Sequence, residues 1–355
     1  MEFTFTQDQM AFRDSVSRFL MTEAPPELLR EIWETDAGRS PELREKIAAQ
    51  GLTGLSVPEA EGGLGLGDVD WALMTQELGY YAIPDSLVDV AYIAAGMLAA
   101  LPEGHAARGE WLPRIVDGSA RIAVGHPINP WVADAHLADL LLLPHATAQG
   151  LELHAVPASA AQVSTQRSID ASRRLSSVQW QPGDATRIAD GAAGQVLWDE
   201  ALERGALCVA GQLVGLAQHM LDMTVDYAGQ RKQFGKPIGA FQAVKHHLAD
   251  VFTAIEFAKP VLYRAAAALA TKDASTSARI AHAKLVCGEA ALLAARKGIQ
   301  VHGAMGYTWE VDLQMFMKRA WALNAAWGDR AFHQERLSAA LLADQAPLGP
   351  GATFH

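Results

Sequence analysis

Hydrophobic positions recur at helical spacing over both ends of the chain and at shorter, alternating spacing in the middle. Thr6 reads as an N-cap, followed by Gln7 and Asp8 in a first turn and by Met10, Phe12, Val16, Phe19 and Leu20 on an apolar face. Pro25 and Pro26 stop that helix, because proline lacks the N–H and clashes with the preceding turn. Ser40, with Pro41 at the first helical position, opens a second helix that Gly51 ends. Residues 71–80 and 88–100 complete a helical N-terminal third. From about residue 122 to 180 the runs LLLLP, LELHAVP, AQVSTQ and LSSVQWQP are short, β-permissive and bounded by Pro, Gly and Asn. They predict a small β-rich insert, with irregular loop as the competing reading because the alternation is imperfect. After residue 192, segments 200–229, 241–271, 275–303 and 312–342 carry Ala, Leu and Val at helical spacing. They predict an antiparallel bundle, kinked at Pro260. The fold class expected is mainly α with a small β insert. Its division is 1–120 helical, 121–191 a reduced β-domain, 192–345 a helical bundle, and 346–355 a loose tail.

Composition narrows the function classes. The chain has 355 residues, 50% hydrophobic and 19% charged, enough to bury a large core and too long for one small module. Lys and Arg number 29 against 40 Asp and Glu, a net charge of -11, so the basic surface that nucleic acid requires is absent. Phosphate-bearing small molecules stay open, since they need one or two local cations. Cys208 and Cys287 sit in apolar, helix-like sequence and read as buried thiols. The opening MEFTFTQDQM is not a signal peptide, and the longest apolar stretch (residues 91–101) is interrupted by Gly96. Spanning a bilayer takes about 20 residues, so a soluble, cytoplasmic protein is expected.

Several chemistry-like features read as structural. Gly62, Gly63, Gly65 and Gly67 follow no strand and sit in no βαβ unit, which favours a tight helix connection over a nucleotide loop. His246 and His247 are adjacent on a helix, so their side chains diverge by about 100° and cannot share a metal. His219 and His282 stand alone, and no metal site is expected. Two turns are more pointed. In Tyr227–Gln242 a helix ends near Gly229 and a Gly/Pro turn carries Arg231, Lys232, Phe234 and Lys236. Arg231 can grip a phosphate with two donors, and Phe234 can cover an aromatic ring. In Gln300–Thr308 the glycines Gly303 and Gly306 permit close approach to the backbone, and Gln300 adds an amide. A solvated turn explains either one alone; together they suggest an aromatic, phosphate-containing cofactor.

These segments resemble the acyl-CoA dehydrogenase family across nearly the whole chain. The similarity starts at Phe3–Gln9, continues through Gly51–Glu59 with Gly62–Gly65, then Glu77–Gly79, Asp170–Leu175, Arg231–Ile238 with Phe241 and Gln242, and Gln300–Tyr307. The resemblance implies an N-terminal helical domain, a middle β-domain and a C-terminal four-helix bundle, with FAD bound noncovalently at a subunit interface. Carried over residue by residue, Arg231, Phe234, Gln242, Gln300 and Gly303 hold the ADP part of that flavin. The reaction implied is α,β-dehydrogenation of an acyl-CoA thioester, a lipid-metabolic oxidoreductase step with electron-transfer flavoprotein as acceptor. A buried carboxylate takes the α-proton while the β-hydrogen leaves as hydride.

Departures from the family pattern shape the expectation. Counted from Arg319, the usual catalytic glutamate position falls on Gly328, with Asp329 one residue later and one methylene shorter. An alternative base position falls at Gly205, and Glu203, two residues earlier, is turned away by about 200° on a helix. Where the family touches the flavin ring through Thr-Glu-Pro and Gly-Ser-Asp, this chain has Gly125-His126-Pro127-Ile128-Asn129-Pro130-Trp131. The pattern resembles the subunits of heteromeric acyl-CoA dehydrogenases of actinobacterial steroid catabolism. It implies an α2β2 heterotetramer with a paralogous subunit, this chain being the one without the base and a steroid-derived acyl-CoA the substrate. Two alternatives stand beside it: a homomeric flavoenzyme using Asp329, and a flavin-free scaffold or binding protein on the same fold.

Overall fold

The structure, a computed structural model, describes residues 4–343; the tail expected over 346–355 lies outside the described residues. Helices α1 (Gln7–Glu23), α2 (Pro26–Glu34), α3 (Pro41–Ala49) and α4 (Asp68–Tyr80) come first, then a π-helical segment Asp89–Ala94 running into α5 (Ala95–Ala99), and α6 (Ala106–Val116). Seven strands follow: β1 (Ile122–Val124), β2 (Val132–Ala133), β3 (Leu140–Thr147), β4 (Gly150–Pro157), β5 (Gln162–Gln166), β6 (Leu175–Gln179) and β7 (Arg187–Ala189). Long helices close the described chain: α7 (Gly191–Gln230), α8 (Gln242–Ala270), α9 (Thr276–His302), α10 (Leu313–Asn324) and α11 (Arg330–Leu341). The chain is mainly helical with a β-rich middle, as its periodicity predicts.

Local chemistry accounts for most of the ends. Thr6 forms a capping box: its Oγ1 accepts from Gln9 N–H at 3.1 Å and Gln9 Oε1 accepts from Thr6 N–H at 3.0 Å. Ser40 caps α3 through Leu43 N–H at 3.1 Å, with Pro41 inside the first turn. Helix α8 is continuous across Pro260.

Helix α1 ends at Glu23, as Pro25 and Pro26 lead one to expect; Pro26 then opens α2, which the periodicity did not predict, because a proline is tolerated in a first turn where its N–H is not needed. Three expectations need correction. Helix α6 went unpredicted, its periodicity masked by Gly109 and Pro113. Helix α7 begins at Gly191, earlier than the predicted 200. The single helix expected over 312–342 is two, interrupted where Trp327 takes φ +54 and Gly328 φ +91.

Two compact units result. One comprises the described parts of Met1–Pro25, Asp68–Ala82 and Ala206–His355. Its helices approach closely where side chains are small: a Cβ on Gly79 would lie 2.1 Å from Gln212 O, and one on Gly215 only 1.9 Å from Gln76 O. Cys208 and Cys287 are buried here, and burial pushes the Cys287 thiol up to about 12. The other unit comprises Pro26–Gly67 and Ile83–Gly205. It holds a four-stranded sheet in the order β1-β3-β4-β7 and a three-stranded sheet in the order β2-β6-β5. Strand β3 pairs antiparallel with β4 from Leu140↔Pro157 to Thr147↔Gly150. Leu141, Leu143, Val156, Ala123 and Ala135 form the core against that sheet. In the same unit the glycine-rich segment is a tight connection, since a Cβ on Gly63 would meet Val57 O at 2.0 Å.

Candidate functional site

The last turn of α7 sets up the first pointed turn. Arg231 N–H donates to Tyr227 O at 2.8 Å, and Ile238 N–H donates back to Arg231 O at 2.8 Å, closing a miniature hairpin over 232–237. At its tip Phe234 adopts φ +52 and Gly235 φ +79. Phe234 is 92% exposed, its ring edge-to-face with Phe241 at a 6.1 Å ring separation. A phenylalanine held in a left-handed conformation carries a backbone cost that its exposed side chain does not repay by burial. Arg231 is exposed, and its guanidinium makes no ion pair or hydrogen bond among the described residues. Gln242, the first residue of α8, is exposed as well.

The second turn closes α9. Gln300 is exposed one turn from its end, and Gly303 caps it at φ 62 and ψ −143, a conformation open essentially to glycine. Between them His302 turns inward. Its Nδ1–H donates to Gly298 O at 2.9 Å, and its ring stacks on Tyr227 at 4.2 Å, tilted 22°. Burial holds the imidazole pKa below its ordinary value, so the ring is neutral. This stack joins the two turns, which the sequence could not do. Arg231, Phe234, Gln242, Gln300 and Gly303 thus belong to segments brought together at the His302–Tyr227 contact in one unit. An unpaired guanidinium, two exposed amides and an exposed aromatic ring suit the diphosphate and ring system of a dinucleotide.

The segment at the usual base position is different in kind. Lys284, on α9 and 3% exposed, donates from Nζ to Asn324 O at 2.9 Å and Gly328 O at 3.0 Å. His333, fully buried, donates from Nε2 to Trp327 O at 2.9 Å; desolvation lowers its pKa to about 4. A Cβ at Gly328 would lie 2.4 Å from Phe332 Cδ1 and 2.7 Å from His333 Nε2. Position 328 therefore does not simply lack a carboxylate; Phe332 and His333 would have to shift to admit any side chain there. Asp329 is exposed and caps α11, its Oδ1 accepting from Phe332 N–H at 2.9 Å. Sequence reasoning missed Lys284 and His333. The available signal was a lysine within the Ile280, Ala281, Ala283 and Cys287 stripe of α9, all of them fully buried.

In the other unit, the loop after β1 is latched by His126. Its Nε2–H donates to Trp198 O at 3.1 Å and its Nδ1 accepts from Ile128 N–H at 3.1 Å. Burial lowers its pKa to about 4, so it too is neutral. Trp131 at the end of this loop is 41% exposed.

Comparison with known proteins agrees with this arrangement. Residues 6–119 match the acyl-CoA dehydrogenase N-terminal domain and residues 193–342 the acyl-CoA dehydrogenase C-terminal domain. The chain belongs to the acyl-CoA dehydrogenase family, oxidoreductases acting on acyl-CoA. It is 31% identical over 317 residues to acyl-CoA dehydrogenase IpdE2 of Mycobacterium tuberculosis, covering 88% of this chain and 91% of that protein. Its fold is similar to the ChsE4-ChsE5 complex from Mycobacterium tuberculosis, with TM-score 0.86 and 22% identity over 98% of this chain and 100% of that one. A variant of the Tcur3481-Tcur3483 steroid ACAD gives TM-score 0.82 and 23% identity over 94% and 97%. Among the described residues, no helix is long and apolar enough to cross a membrane.

Proposed function

We propose that this chain is the subunit without a catalytic base in a heteromeric, FAD-dependent acyl-CoA dehydrogenase, pairing with a paralogous subunit as α2β2. A steroid-derived acyl-CoA is its substrate and electron-transfer flavoprotein its acceptor. The observation that carries this reading is the closed turn over 325–329. A base for an α-proton must be buried, desolvated and free to receive it. Position 328 admits a side chain only if Phe332 and His333 shift, and Asp329 is exposed with an oxygen committed to a helix N-terminus. The structural neighbours that are a two-protein complex and a steroid dehydrogenase support the partner and the substrate class.

Arg231 would hold the diphosphate, Phe234 the aromatic system, and Gln242 and Gln300 the polar edges, with Gly303 allowing backbone approach. When bound, FAD supplies the hydride acceptor. This chain's own residues bind and orient; the proton is taken by a carboxylate of the partner. Neutral His302 fixes the geometry, since its stacking on Tyr227 sets the spacing between the two gripping turns. Co-expression with the paralogous dehydrogenase and measurement of the flavin-to-chain ratio tests the reading. One flavin per two chains, with activity lost when the partner's carboxylate is removed, is the expected result. A homomer carrying one flavin per chain and dehydrogenating acyl-CoA on its own would overturn it.

A further inference from the structure

The unit that contains the sheets also contains a cleft of about 380 Å³, unrelated to the gripping turns. It lies among the α2–α3 connection, the first turn of α3, residues 118–122 leading into β1, and the short turn before β3. Its volume falls at the small end of the range of roughly 300–1,000 Å³ typical of small-molecule sites. Pro41, Ile122, Leu137 and Ala138 give it an apolar lining.

Its charges divide into a paired set and a free set. Arg39 Nη2 sits 2.6 Å from Asp134 Oδ2 and Arg44 Nη1 sits 2.9 Å from Asp85 Oδ1, so these pairs brace the walls. Arg44 is not saturated: its Nη2 reaches only Ala120 O at 3.4 Å, leaving donors of a five-donor fork unused. Arg121 also lines the cleft, is exposed, and has no side-chain partner among the described residues. Glu45 is the opposing free charge, but it stands exposed to water, where its field is weak. Asp85 balances the charge of Arg44, so Arg44 offers its spare hydrogen-bond donors while Arg121 supplies the positive charge that no carboxylate of the cleft pairs.

From this juxtaposition we infer a second ligand site, taking a small amphipathic carboxylate. The head group sits on Arg44 and Arg121, in the planar two-donor geometry that guanidinium offers a carboxylate. The apolar body lies against Pro41, Ile122 and Leu137. Nothing in this inference depends on the subunit assignment, since every lining residue belongs to one unit of this chain.

Calorimetric titration of the full chain with 2-naphthoate and with its uncharged amide tests the site. The expected result is saturable binding of one naphthoate per chain, at least tenfold tighter than the amide. Arg121→Ala, a surface change that leaves the braces intact, should weaken naphthoate at least fivefold. Ala138→Phe, which fills the cleft, should abolish binding while circular dichroism and the thermal midpoint stay unchanged. No saturable binding, equal affinity for acid and amide, or full affinity in both variants would each overturn the inference. Should Ala138→Phe fail to fold, the Arg121→Ala titration and the acid-to-amide ratio decide alone.

Discussion

Two regions at the ends of the same bundle treat their polar groups in opposite ways. At the turns carrying Arg231 and Gln300, a guanidinium, two amides and an aromatic ring are left exposed, the arginine unpaired within the described chain. At 324–329, three carbonyls and one carboxylate are all consumed by the fold: Lys284 takes two of the carbonyls, His333 takes the third, and Asp329 caps a helix. A group that binds a ligand has to remain unsatisfied until the ligand arrives. By that criterion the first region leaves groups free for a ligand and the second spends its own on the fold.

Acidification should break the closed regions first, and it is the largest effect expected. His126, His219 and His333 each have a folded pKa lowered to about 4 by burial, below the unfolded value of about 6.5. The unfolded chain therefore binds more protons between these values. Stability is complete above pH 6.5 and falls as pH drops toward 4, by about 3 kcal/mol for each of the three. Asp89, raised to about 6 by burial, works in the opposite sense from pH 4 to 6 and offsets part of this. Denaturant midpoints measured from pH 7.5 to 4.5 check the slope; a flat profile would remove the case for neutral, buried histidines.

Lys284→Met should cost about 2–4 kcal/mol of stability, because one buried and one half-buried carbonyl lose a charged donor. Activity per flavin in the assembled complex should change less than stability does. At the open region the order inverts: Arg231→Ala should leave the thermal midpoint within about a degree while flavin affinity falls by roughly 10–100-fold, the loss of a charge-assisted contact to phosphate. Equal loss of stability at Arg231 would erase the contrast. The smallest effect is Asp329→Ala, about 1 kcal/mol for a lost helix cap. The rate of substrate-driven flavin reduction should stay within twofold; a collapse of that rate would restore Asp329 as the base.

Much of the fold was legible locally. The Thr6 and Ser40 caps and the four β-permissive runs announce themselves within a few residues, because capping and alternation are short-range physics. Among the site residues, the R-x-x-F turn and the Gln300–Gly303 turn were visible as glycine-bearing interruptions with exposed polar groups. The break at 325–329 was not, since Ala325, Ala326 and Trp327 continue a helical pattern and only Gly328 hints otherwise.

The amino-acid order by itself determined the helical ends, the β-rich middle and the buried cysteines. Tertiary structure alone decided that Tyr227 and His302 stack to unite two turns, and that Gly328 is enclosed rather than merely small. It also decided that Lys284 satisfies a carbonyl 44 positions away and His126 one 72 positions away. The physical reason is range: helical and strand preferences are summed over neighbours along the chain. Whether a polar group is free or spent depends on what the folded chain brings against it.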